Sequence, residues 1–297
     1  MKIDIRTNQY FKAVMSNKRI TIVINTFNSE DKIHKCIGSI PNEHKIIVIE
    51  NSKNENFKKE LEQKYSNVQC FLAGENLGYA KGNNLGLSKV KSEYALILNP
   101  DAFLEKNTLN NFFRAAEKVQ NFSILGPAKQ NEFLKEDQNT DKDDIFEVDY
   151  LKGFAIFLNL HQFKDIGFFD ENFFIYLEEI DLCKRLKNKD KKIYLDKKIV
   201  IHHLGGSSHN KTLNFEMELS RNWHWMWSTF YFNKKHYGFM YSLLKVSGKL
   251  FSSSFKTLFY IMIFQNEKKK IYYQRLSGLL NSIIGKKSWY RPNIITH

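Results

Sequence analysis

The chain has 297 residues, 42% of them apolar, which is enough for one large α/β domain with an appendage and excludes global disorder. Its formal charge of +13 is unevenly placed: residues 211–297 carry 14 Lys and Arg against 3 Glu, together with all four tryptophans. The three cysteines, Cys36, Cys70 and Cys183, have neither disulfide nor metal-ligand spacing, so a disulfide scaffold is excluded and a reducing, cytoplasmic compartment is expected.

Residues 1–18 contain no apolar h-region and read as a polar extension. The run ITIVIN (20–25) is apolar and β-branched, which predicts a buried strand. A helix follows from about Ser29, a residue suited to an N-cap. KIIVIE (45–50) repeats the strand signal, 54–65 is helical in character, and 68–73 is a third strand. Residues 78–90 predict a helix despite their glycines, YALILN (94–99) a fourth strand, and 108–119 another helix. Alternating strands and helices predict a parallel sheet covered on both faces. Residues 129–145 are polar, acidic and aperiodic, and read as a mobile loop. Strands at 146–151 and 154–159, a helix at 176–188 and a strand at 199–202 complete an α/β domain spanning 19–210. The composition shift at 211 marks the boundary to a helical, basic region, 211–297.

In an open α/β sheet, ligands bind beyond the carboxyl ends of the strands. The first strand is followed by Thr26-Phe27-Asn28-Ser29-Glu30, the second by Glu50-Asn51-Ser52. The third is followed by Glu75-Asn76-Leu77-Gly78-Tyr79-Ala80-Lys81-Gly82-Asn83-Asn84, the fourth by Asn99-Pro100-Asp101. One such stretch is ordinary turn chemistry; four at the functional edge indicate a ligand site. The first strand lacks G-x-G-x-x-G, and no G-x-x-x-x-G-K-[ST] is present, which argues against a dinucleotide-binding dehydrogenase and a P-loop NTPase. Asp101 at a strand end suits a divalent cation that shares its coordination with substrate phosphates.

Two more clusters carry chemistry. Glu178 and Asp181 are three apart and share a helix face, with Glu179 about a quarter turn away. An acidic first turn also favours the helix dipole, but carboxylates among aromatic neighbours are candidates for a tuned general base. His202 and His203 precede a Gly-Gly-Ser-Ser loop, and one imidazole is placed to complete a metal site.

Taken in order, T-F-N-S, I-E-N-S, E-N-L-G-Y-A-K-G-N-N, L-N-P-D, G-F-F-D-E-N-F-F-I-Y-L-E-E-I-D-L-C and H-H-L-G-G-S-S resemble glycosyltransferase family 2. The likeness covers residues 20–208 and is strongest to bacterial rhamnosyltransferases of surface-polysaccharide (O-antigen) assembly. It implies a GT-A fold with a mixed, mostly parallel sheet. It also implies inverting transfer from a nucleoside-diphosphate sugar, with dTDP-rhamnose as donor and Mg²⁺ or Mn²⁺ as cofactor. Thr26, Asn28 and Glu30 would line the nucleotide pocket, and Glu50 with Asn51 would meet the base. Asn76, Gly78, Lys81 and Asn84 would shape the nucleotide and diphosphate site. Asp101, preceded by Asn99, would hold the metal, and His202, or else His203, would contact the metal or diphosphate. Glu179 would be the general base, supported by Glu178 and Asp181. The chain departs from the family pattern at Asn99, Glu50 and Glu179, where the family usually has Asp. The alternatives are a UDP-sugar glucosyl-, galactosyl- or N-acetylhexosaminyltransferase of the same fold, or a non-catalytic glycan-binding module.

In the basic region, Lys245, Lys249 and Lys256 fall along one helical stripe of an otherwise apolar segment, 239–264. Its longest uninterrupted apolar run, 258–264, is far short of the roughly 20 residues of a membrane span. An amphipathic helix on an anionic membrane surface is expected, placing the protein on the cytoplasmic face of the membrane beside a lipid-linked acceptor. Packing on the α/β domain or on a second copy, as a homodimer, is the competing reading. Nucleic-acid binding ranks last, because no DNA- or RNA-binding motif is present.

Overall fold

A computed structural model describes residues 19–128, 144–204 and 214–292. They form two compact units, one drawn from 1–77, 82–169 and 182–208, the other from 78–81, 170–181 and 209–297.

The first unit is built on an eight-stranded sheet. Its strands are β1 (Ile20–Thr26), β2 (Lys45–Glu50), β3 (Val68–Leu72), β4 (Tyr94–Leu98), β6 (Phe122–Pro127), β7 (Ile145–Glu147), β8 (Ala155–Asn159) and β9 (Lys192–Asp196). The order is β3-β2-β1-β4-β8-β6-β9-β7. β3, β2, β1 and β4 run parallel, β8 runs antiparallel to β4 and β6, and β7 runs antiparallel to β9. A separate two-stranded sheet pairs β5 (Ala102–Leu104) with β10 (Ile201–His203). Helices α1 (Glu30–Gly38), α2 (Glu55–Lys64) and α4 (Thr108–Val119) belong to this unit. Helices α3 (Gly78–Leu87) and α5 (Glu178–Lys187) begin in the second unit's segments and end in the first unit's.

Continuous apolar runs make β1, β2 and β4 strands buried on both faces, as parallel strands must be. α4 turns Leu109, Phe112, Phe113 and Ala116 inward, a helical i, i+3, i+4, i+7 face. Phe112 stacks on Phe157 of β8 at 4.8 Å, and Phe157 on Tyr94 of β4 at 5.0 Å. Each buried aromatic of this kind contributes roughly 1.5–3 kcal/mol. Thr26 and Glu50 are register partners, so the ends of β1 and β2 lie side by side. The winding reverses between β1 and β4, the topological switch point where ligands settle in such sheets.

β5, β6 and β9 are not foreseen from the sequence. FSILGP (122–127) is held extended by its pairing with β9. The strand expected to close the domain at 199–202 forms as β10 and pairs with β5, outside the large sheet. α5 starts at Glu178 rather than 176, because Tyr176 and Leu177 sit at φ +75° and +70°. The extension 1–18, the loop at 129–143 and the Gly-Gly-Ser-Ser stretch lie outside the described residues.

The second unit also takes in residues that precede the composition shift at 211. Its helices are α6 (Asn214–Tyr237), α7 (Phe239–Met262) and α8 (Asn266–Ile283), and 170–181 clusters with them. The reason is one face of α6. His224, Ser228, Tyr231 and Lys235, spaced four, three and four apart, all meet 170–175. His224 stacks on Phe174 at 4.4 Å, and Tyr231 packs edge-on against Phe173 at 4.9 Å. Ser228 donates to the Ile175 carbonyl at 3.0 Å, and Lys235 pairs with Asp170 at 2.7 Å. Met226, Phe230, Val246 and Leu279 form the core between the three helices.

Candidate active site

The first unit carries the residues expected to hold a nucleotide. Thr26 and Glu50 are buried, and neither the Thr26 hydroxyl nor either Glu50 carboxylate oxygen has a protein hydrogen-bond partner. Burial pushes the Glu50 carboxyl up to about 7, the nearby Ser52 hydroxyl pulling downward and Glu30 upward. Buried, unpartnered polar atoms at strand ends are what a ligand's donors would satisfy. Asn51 donates to Asn25 at 2.6 Å and accepts from the Leu77 amide at 3.4 Å, which ties the β2 and β3 loops together. Asn28 takes the left-handed conformation, φ 49°, that short polar side chains tolerate. Glu30 opens α1, where Asn54 donates to it at 3.4 Å.

Asp101 follows β4 through the turn at Asn99, whose carbonyl accepts from Ala102 at 3.0 Å. The Asp101 carboxylate is buried, and its Oδ1 lacks a hydrogen-bond partner. The β5–β10 pairing places His203 opposite Ala102, and His203 Nε2 comes to 3.3 Å from Asp101 Oδ1. His202 does not approach Asp101. Successive strand side chains point to opposite faces, so His202 turns to Glu105, at 2.8 Å. His203 stacks on Phe154 at 4.5 Å, which holds its ring in place. A carboxylate, an imidazole and an open side suit a hard divalent cation that takes its remaining ligands from phosphates. Among the described residues no cluster of three or more His, Cys, Asp or Glu is placed to hold a metal. A cavity of about 80 Å³ opens beside Asp101, bordered by Lys32 and Lys35 of α1, two cations the motifs do not reveal.

Two other expected donor residues are occupied within the protein. Asn84 donates to the Phe169 carbonyl at 2.9 Å and accepts from its amide at 3.1 Å. Gly78, at φ +75°, has no room for a side chain, since a Cβ would lie 2.2 Å from the Phe174 carbonyl oxygen. Both positions are thus fixed by contacts within the protein. Asn76 is half-buried in the loop after β3, and Lys81 is exposed on α3.

The second unit carries the carboxylates. Tyr176 and Leu177, both left-handed and neither glycine, form a strained turn that leads into Glu178. Glu178 is buried, with Oε2 unpartnered, and burial together with Glu179 and Asp181 holds its carboxyl well above the usual range. Glu179 is half-buried. Burial pushes it up to about 7, although its own amide and that of Ile180 hydrogen-bond it. Asp181 is fully buried against His236 at 2.8 Å and Lys235 at 2.7 Å, so it is an ion-pair anchor and not a spare carboxylate.

The sequence profile of glycosyl transferase family 2 matches residues 21–183. The chain belongs to that family. A hexosyltransferase of low-salt glycan biosynthesis, Agl10 of Haloferax volcanii, is 26% identical over 196 residues, covering 58% of this chain and 62% of the relative. Rhamnosyltransferase WbbL of Escherichia coli is 24% identical over 202 residues, covering 56% of this chain and 76% of the relative. An N-acetylglucosaminyl-diphospho-decaprenol L-rhamnosyltransferase of Mycobacterium tuberculosis is 21% identical over 207 residues, 55% of this chain and 67% of the relative. Among solved structures, the mannosyltransferase PcManGT of Pyrobaculum calidifontis, in complex with GDP-Man and Mn²⁺, superposes with a TM-score of 0.55 at 10% identity, covering 95% of each chain. S. aureus TarS 1–349 gives 0.53 at 14% identity, covering 92% of this chain and 93% of the other. At such identities the likeness shows the fold, which is GT-A-like.

The family 2 motifs do not reveal the part played by α6. Its Ser228, Lys235 and His236 fix the segment that carries Glu178 and Glu179, and only their spacing along one helical face hints at it.

Proposed function

We propose that this chain is an inverting, metal-dependent glycosyltransferase that moves a hexose, with dTDP-rhamnose as donor, to a lipid-linked glycan acceptor of surface-polysaccharide assembly. One observation carries the reaction type: two adjacent carboxyls differ in burial, Glu178 buried and held well above the usual carboxylate range, Glu179 half-buried and pushed up to about 7. Such a pair leaves one carboxylate as a base matched to neutral pH. The rhamnose donor and lipid-linked acceptor rest on the names of the E. coli and M. tuberculosis relatives.

Thr26, Glu50 and Asn51 bind the base and ribose, and Lys32 and Lys35 draw the diphosphate toward Asp101. Asp101 and His203 would hold Mg²⁺ or Mn²⁺, which when bound would offset charge on the leaving diphosphate. Glu179 takes the proton from the acceptor hydroxyl. That oxygen bonds to the anomeric carbon on the face opposite the diphosphate, the bond to the diphosphate oxygen breaks, and the configuration inverts. No described helix is long and apolar enough to cross a membrane. The exposed apolar side chains of α7 (Leu244, Phe251, Phe255, Leu258 and Met262) support peripheral attachment instead.

A donor screen tests the proposal. Purified protein with Mn²⁺ or Mg²⁺ is offered dTDP-, UDP- and GDP-sugars, and nucleoside-diphosphate release is read. Release from dTDP-rhamnose is expected; release from UDP-N-acetylglucosamine alone would shift the assignment toward the S. aureus relative TarP, named as an N-acetylglucosaminyltransferase.

A further inference from the structure

We infer that Lys245 and Lys249 of α7 and Arg275 of α8, with Trp225 of α6, form the binding site for the diphosphate group of a lipid-linked acceptor. The inference rests on the lipid-linked acceptor proposed above and assigns it residues.

α7 is inverted relative to an ordinary surface helix. Its inward face is small and mostly polar: Ser242, Val246, Ser253 and Thr257. Its outward face is large and apolar: Met240, Leu244, Phe251, Phe255, Leu258 and Met262, which recur at helical spacing and are all exposed. Lys245, Lys249 and Lys256 lie between these faces, along one edge only, at about 100° per residue. A helix adapted only to lie flat on an anionic surface would carry cations on both edges of its apolar face. Here Lys249 on the cationic edge meets Trp225 of α6, and Lys256 meets Tyr272 of α8.

That edge is part of a cluster. The Lys249 ammonium lies 5.8 Å from the centre of the Trp225 ring. Trp225 packs edge-on against Tyr176 at 5.5 Å, and Tyr176 begins the strained turn into Glu178 and Glu179. Arg275 joins from α8, donating to Asn222 one turn before Trp225, at 3.1 Å. Arg275 and Lys245 both depress the Lys249 ammonium, adding to its burial. None of the three pairs with an acidic side chain among the described residues, although Lys256, farther along, does have a partner, the Tyr272 hydroxyl at 3.3 Å. Three cations from two helices with no counter-ion repel one another. A dianionic group relieves that repulsion, and Arg with Lys is the side-chain set that matches phosphate oxygens. The outward face of α7 receives the hydrocarbon chain beside it. The sugar end is then delivered along the Trp225–Tyr176 wall toward the carboxylate turn.

The test compares the full chain on three vesicle types: neutral phosphatidylcholine, the same with farnesyl diphosphate, and the same with phosphatidylglycerol at matched charge. Wild type is expected to float most strongly with farnesyl diphosphate. The Lys249→Gln/Arg275→Gln variant is expected to lose roughly tenfold or more of that affinity, with a much smaller loss on phosphatidylglycerol. Lys245→Gln, at an exposed position, gives a graded loss if the double variant folds poorly. Equal binding of wild type to both anionic vesicles would overturn the site in favour of general headgroup attraction, as would a variant that keeps its preference. Calorimetry with the nucleotide and Mn²⁺ separates the two levels: failed nucleotide binding by wild type counts against the proposed function, whereas vesicle preference reports on the cluster alone.

Discussion

His236 Nε2 lies 2.8 Å from Asp181 Oδ1, and both side chains are buried. The contact joins the end of α6 to the first turn of α5, two residues beyond the proposed base. Lys235 reaches the same oxygen at 2.7 Å and also pairs with Asp170 at 2.7 Å, so one carboxylate gathers two cationic donors. The basic region is thus tied to the carboxylate segment through Asp181 and Asp170.

Removing Asp181 takes the buried carboxylate away from His236 and leaves Lys235 with Asp170 alone. Asp181→Ala is expected to lower stability by about 3–5 kcal/mol, the usual cost of breaking a buried pair from one side. Urea denaturation checks it. An unchanged midpoint would show that the pair contributes nothing.

Glu179→Gln should behave in the opposite way. Melting temperature stays near that of wild type, while turnover falls by roughly 10²–10⁴, the range for loss of a positioned base. In the wild type, the base works only when ionised, so kcat should rise with pH through about 7 and level off above it. A flat profile from pH 5.5 to 8 would remove Glu179 from that role.

Glu50 makes a stability prediction. Its folded-state value, about 7, lies above the ordinary 4.5, so the folded protein holds this proton more tightly than the unfolded chain. Stability from this group is complete below about 4.5 and is lost as pH rises to about 7. Glu50→Gln should then be close to neutral at pH 5 and stabilising at pH 8, by up to about 3 kcal/mol. Thermal melts at the two pH values decide it, and nucleotide affinity measured alongside reports the binding role.

Gly78→Ala forces a Cβ to within 2.2 Å of the Phe174 carbonyl at a positive φ. It also strains the 2.7 Å bond from the Tyr79 amide to that carbonyl. A loss of at least about 2 kcal/mol is expected, measured by chemical denaturation.

His203→Ala and His202→Ala separate the two imidazoles. Mn²⁺-dependent nucleotide binding should weaken roughly tenfold or more in the first variant and little in the second. Calorimetry with and without Mn²⁺ reads the difference; equal losses would contradict the geometry at Asp101.

The local chain was sufficient to locate β1, β2 and β4 and the polar residues that follow them. Buried parallel strands are continuous apolar runs, and their ends are marked by Thr26, Glu50 and Asn99-Pro100-Asp101. Periodicity also located α4 and the long helix α7. It missed β6 and β9, which pair with each other across a long separation in the sequence.

Short-range pattern and motif order were enough to point to candidate residues at the ends of β1, β2 and β4. Only the tertiary structure decided which of two adjacent histidines faces Asp101, because strand alternation takes effect only once β10 is registered against β5. It also brings Asn84, Gly78 and Asp181 against partners far along the chain. Their partners, Phe169, Phe174 and His236, lie 85, 96 and 55 positions away in the sequence. No local pattern records a contact made at such separations. The same holds for α6, whose grip on the carboxylate turn exists only when the helix has packed.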